Sequence, residues 1–67
     1  MPNLTSKELS RIDDQLGIEK MLVEKFARCA NMCTDQTIKQ RLSQIQQMHQ
    51  RHYDTLLSHV TGGGTLQ

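Results

Sequence analysis

The sequence predicts an all-α fold, a two-helix antiparallel hairpin that dimerises into a four-helix bundle. Three observations predict it. Apolar residues recur at alternating spacings of three and four through two long segments. A single short break carrying good helix N-caps separates those segments. And 67 residues, with 36% hydrophobic and only 3% aromatic side chains, supply too little core for a lone small domain. Below roughly 70–80 residues a single core seldom contributes more than about 3–5 kcal/mol, so oligomerisation is the expected remedy.

The organisation follows in order. Residues 1–67 form one hairpin, with helix 1 over about 5–33, helix 2 over about 35–60 and a loose tail at 61–67. Helix 1 opens with Thr5 as N-cap and Glu8 three positions later, a capping box in which each residue satisfies a free backbone N–H. Leu4 and Leu9 stand where a hydrophobic staple would form. Leu9, Ile12, Leu16, Glu19, Val23, Phe26, Ala30 and Cys33 then make a heptad seam that only Glu19 interrupts with a charge. Thr34 and Asp35 break the pattern, and either can cap helix 2. The second seam is Ile38, Leu42, Ile45, His49, His52, Leu56 and His59, and Gly62-Gly63-Gly64 is expected to stop it.

A break of about three residues makes the helices antiparallel neighbours, each roughly 40 Å long at 1.5 Å per residue. Folding at residue 34 pairs Ala30 with Ile38, Phe26 with Leu42, Val23 with Ile45, Glu19 with His49, Leu16 with His52 and Ile12 with Leu56. The polar seam residues of both helices thus arrive in one layer. Leu16, Val23, Phe26, Leu42, Ile45 and Leu56 are the expected core and dimer residues, and Lys20 is placed on the opposite face. A second apolar row lies beside the seam, Ile18, Leu22 and Cys29 on helix 1 and Tyr53, Leu57 and Val60 on helix 2. A face that wide belongs to a bundle of more than two helices, which two hairpins packed face to face would make.

Charge and composition exclude several functions. The net charge is +1, with the basic residues scattered among the acids, so no nucleic-acid-binding stripe exists. No apolar run approaches the ~20 residues of a membrane span. The polar start, Met1-Pro2-Asn3-Leu4-Thr5, lacks a signal-peptide apolar region, so an intracellular protein with reduced thiols is expected. No nucleophile elbow, phosphate loop or dinucleotide fingerprint occurs, and no catalytic residues are assigned.

The stretches Leu4-Thr5-Ser6-Lys7-Glu8-Leu9, Asp13-Asp14-Gln15-Leu16-Gly17-Ile18-Glu19-Lys20 and His49-Gln50-Arg51-His52-Tyr53-Asp54-Thr55-Leu56-Leu57 together resemble the spore coat protein F-like family of spore-forming Firmicutes. That family is grouped with the ferritin-like helical bundles. The resemblance implies a ferritin-like four-helix bundle, an association with sporulation, a place in the spore coat and other coat proteins as partners. Catalytic ferritin-like proteins hold two irons with a Glu from one helix and a Glu-x-x-His pair from the next. Glu19 matches the first Glu and His49 the His, but Gln46 stands where the second Glu would be. A homodimer would offer two carboxylates and two imidazoles, where that site uses four and two.

Each remaining candidate has a functional and a structural reading. Glu19 and His49 form either a metal half-site, taking Fe or Zn, or a buried hydrogen-bonded pair that fixes register. His52, three residues on, is either a further ligand or a hydrogen-bond partner for Tyr53 or the second chain. His59 suits the C-terminal end of the helix dipole. Cys29 and Cys33, spaced i, i+4 with Met32 nearby, could chelate a soft ion or act as small core fillers. Met21 and Met48 read as gap fillers. Gly17 inside helix 1 implies either a close approach of another helix or a slight kink. The expectation is a non-enzymatic, cofactor-free structural protein. The alternatives are a ferritin-like metal-binding protein and a small regulatory hairpin that docks on a larger helical partner.

Overall fold

A computed structural model describes residues 4–61 of the chain. Two helices, α1 (Ser6–Met32) and α2 (Gln36–Val60), pack against each other as a hairpin. The capping box forms as the sequence predicts: the Thr5 N–H donates to Glu8 Oε1 at 2.9 Å and the Glu8 N–H donates to Thr5 Oγ1 at 3.0 Å. Hydrogen bonding to its carboxyl from the Thr5 backbone N–H, and then from the Thr5 side chain, holds Glu8 below its usual range. Of the two candidate caps for α2, Asp35 takes the role, its Oδ1 accepting from the Ile38 N–H at 3.0 Å.

The turn is Cys33-Thr34-Asp35. Cys33 ends α1 with extended backbone (φ −85°, ψ 133°), its N–H donating to the Ala30 carbonyl at 3.3 Å. Its thiol donates across the turn to the Asp35 carbonyl at 3.5 Å. At the far end Thr61 caps α2, with both its N–H and its hydroxyl donating to the Leu57 carbonyl at 2.9 Å. The expected glycine stop and all of the tail but Thr61 lie outside the described residues. No described helix is long and apolar enough to cross a membrane.

The molecule measures 46 × 24 × 11 Å, one helix thick. A single layer of two helices leaves each helix open on two flanks. This corrects the sequence reading of one wide apolar face. Tyr53, Leu57 and Val60 line an open groove with Leu16, Gly17 and Lys20, and Lys20, Val23, Gln50 and Tyr53 continue it. Lys20 therefore stands beside the seam, not opposite it. Ile18 and Leu22 are each two residues, about 200°, from Lys20 around α1. Met48 and His52 stand at the same angle from Gln50 around α2. Those four side chains mark the other flank. The two outer apolar rows thus fall on opposite sides of the hairpin.

The six expected core residues, Leu16, Val23, Phe26, Leu42, Ile45 and Leu56, are all half-buried, as a one-layer structure requires. Among the described residues only Ala30 and Glu19 are buried. A Cβ at Gly17 would meet no atom of α2 within 4 Å, so α2 does not approach it closely.

Candidate functional site

The one cluster of convergent polar side chains among the described residues centres on Glu19, midway along α1. Heptad spacing puts Glu19 on the side of α1 that faces α2, and folding at the turn brings the His49 layer opposite. Glu19 as a residue is 7% exposed. His49 Nδ1 lies 2.7 Å from Glu19 Oε1. An ionised carboxylate only accepts, so the imidazole donates. Gln15, one turn earlier on α1, donates its amide to Glu19 Oε2 at 3.1 Å. His52, one turn beyond His49 on α2, places its Nδ1 3.5 Å from the same Oε2. No buried side-chain polar atom of the described residues lacks a partner.

The electrostatics follow from these contacts. Burial pushes the Glu19 carboxyl up. The hydrogen bonds from His49 and Gln15, with the charges of His49 and His52, outweigh burial and leave it below its ordinary value of 4.5. The His49 ring is held on its other side by Phe26, stacked at 5.8 Å between centroids and 17° between planes. His52 meets the His49 ring edge-on at 5.5 Å and 89°. The Glu19–His49 pair is thus locked by packing and hydrogen bonding, whereas the His52 side chain is 50% exposed.

The structure brings Glu19, His49 and His52 together, with one potential ligand atom from each lying within 4.8 Å of the others. His59 stands apart, exposed in the last turn of α2. Cys29 is exposed and Cys33 half-buried, both as free thiols. Gln15 is the member that the sequence reading missed. Its i, i+4 spacing to Glu19 was the available signal, since residues four apart on a helix are neighbours.

The chain is 32% identical over 60 residues to the uncharacterized protein YuzM of Bacillus subtilis (strain 168), covering 90% of this chain and 74% of the relative. The chain belongs to the YuzM family. No protein-family model matches it, and no solved structure matches it. In this YuzM-family hairpin the donor set does not fit two irons. One carboxylate and two imidazoles converge, and Gln46, where a second carboxylate would be needed, is an amide. An amide supplies neither the charge nor the bridging oxygens that two cations require.

Proposed function

We propose that the hairpin is the unit of a homodimeric four-helix bundle with a non-enzymatic, structural role of the spore-coat kind. The observation that carries this reading is the apolar surface that one layer of two helices leaves uncovered. Ile18 and Met48 are 44% and 37% exposed, and they stand on the same flank, one residue before Glu19 and His49 respectively. A second copy packed on that flank would cover both, close the solvent side of the Glu19 layer and give each helix a second neighbour. The resemblance to the spore coat protein F-like family supports the setting, and other coat proteins are the expected further partners.

Sedimentation equilibrium tests the assembly. At micromolar concentration the chain should run at twice its 7.7 kDa mass. Ile18→Glu should return it to one chain, while Leu57→Glu, on the other flank, should leave the dimer intact. A well-folded monomer of the parent chain would contradict the reading. The chain should also be recovered in the coat fraction of purified spores. Confinement to vegetative cells would contradict the spore-coat role.

A further inference from the structure

We propose that Glu19, His49 and His52 bind one divalent transition-metal ion of the Zn²⁺ class. The carboxylate comes from α1 and both imidazoles from α2. The site is complete within one chain, so it does not rest on the proposed dimer.

Three observations carry the inference. First, the donors converge and their type fits. A carboxylate with two imidazoles is a set that Zn²⁺ accepts, with a further position left to solvent. The two Nδ1 atoms lie 2.7 and 3.5 Å from the two carboxylate oxygens. One ligand atom from each of the three residues lies within 4.8 Å of the others, so small side-chain rotations bring them to the ~3.3 Å edge of a tetrahedron with bonds of about 2.0–2.1 Å. Second, His52 is surplus to the structural need. Burial of Glu19 is already answered by His49 and Gln15, which both hydrogen-bond to it. A second imidazole aimed at the same carboxylate adds a donor where no polar group lacks a partner. Third, the donors are unequally held in a useful way. Gln15 orients Glu19 from outside the ligand set, and Phe26 stacks on His49. The half-exposed His52 is free to swing inward and close the set.

The test uses the full chain with Cys29→Ser and Cys33→Ser, because two thiols one turn apart would otherwise compete for the same ion. The probe is Zn²⁺ alone, titrated calorimetrically, with Co²⁺ absorption as a second readout of coordination. One ion per chain should bind at micromolar affinity or tighter, and Co²⁺ should give the intense visible bands of a low-coordinate site. His52→Ala should weaken binding at least tenfold and remove most of the Zn²⁺-induced rise in melting temperature that the parent chain shows. Gln15→Ala should weaken it by about tenfold through loss of carboxylate orientation. His59→Ala should change nothing. Absence of saturable binding in the cysteine-free chain would overturn the proposal, as would full affinity in His52→Ala. Sedimentation of the metal-free chain reports the dimer separately, so failure of either idea is read without the other.

Discussion

Ala30 and Glu19, at 4% and 7% exposure, are the two buried residues of the described hairpin, and they are buried for opposite reasons. Ala30 lies near the turn, where three residues tie the helices together and a methyl side chain lets the backbones converge. Its burial costs nothing in desolvation. Glu19 lies three turns away, where a charge out of water is unfavourable unless it is hydrogen-bonded. Its burial depends on His49 and Gln15. The comparison shows that this hairpin closes by geometry at the turn and by polar chemistry at its middle. The first region should tolerate any change that keeps volume. The second should respond to charge, pH and metal.

Phe26 links the two regions, lying one turn from Ala30 and stacked on His49. Phe26→Ala should therefore have the largest effect, about 2–3 kcal/mol by urea unfolding. That is below the ~3–5 kcal/mol of a fully buried Phe, because Phe26 is half-buried. A loss under about 1 kcal/mol would mean that the layers are not mechanically joined.

Glu19→Met comes next, at about 1–3 kcal/mol, because it strands His49 without its acceptor. Adding His49→Leu should recover most of that loss, since apolar pairs of similar volume often replace a buried polar pair without cost. Additive losses in this cycle would show that the two side chains do not interact. The same layer sets an acid response. The Glu19 carboxyl titrates lower in the folded chain than its ordinary 4.5, so its stabilisation is complete above that value and is lost as pH falls through the folded one. Glu19→Gln should flatten the stability profile below pH 4.5 and leave its shape near neutrality unchanged. An unchanged acid limb would contradict the assigned contacts.

Much of this was legible in the sequence, and the rest was lost for identifiable reasons. The capping box at Thr5 and Glu8 is local, so four consecutive positions sufficed to read it. The Glu19–His49 contact was readable because a three-residue turn and a 3.5-residue repeat fix which layers meet. Thr34 and Asp35 could not be separated in advance, since capping is decided by which side chain reaches the Ile38 N–H. Gln15 escaped notice because it sits one step off the seam and acts through Glu19. The split of the outer rows was invisible to a count of apolar positions. It depends on the rotational sense of each helix in the antiparallel pair, which puts Tyr53 and Leu57 with Lys20 and, by the ~100° step per residue, Ile18 with Met48.

Smaller changes sharpen the contrast. Gly17→Ala should raise stability by about 1 kcal/mol, because a Cβ there meets nothing and glycine is costly inside a helix. A destabilising result would show that something in solution approaches Gly17. Lys20→Ala should change stability by less than about 0.5 kcal/mol. Lys20 adjoins Glu19 in sequence but is exposed in the opposite groove. An effect as large as that of Glu19→Met would mean that proximity in sequence, not burial, controls this layer.

A native mass spectrum of the full chain carrying Cys29→Ser and Cys33→Ser, purified without chelator and loaded with Zn²⁺, addresses assembly and metal together. The expected species is a dimer carrying one ion per chain, which loses its metal but not its second copy in His52→Ala. A metal-free, folded monomer would contradict both the proposed assembly and the proposed role of the Glu19 layer.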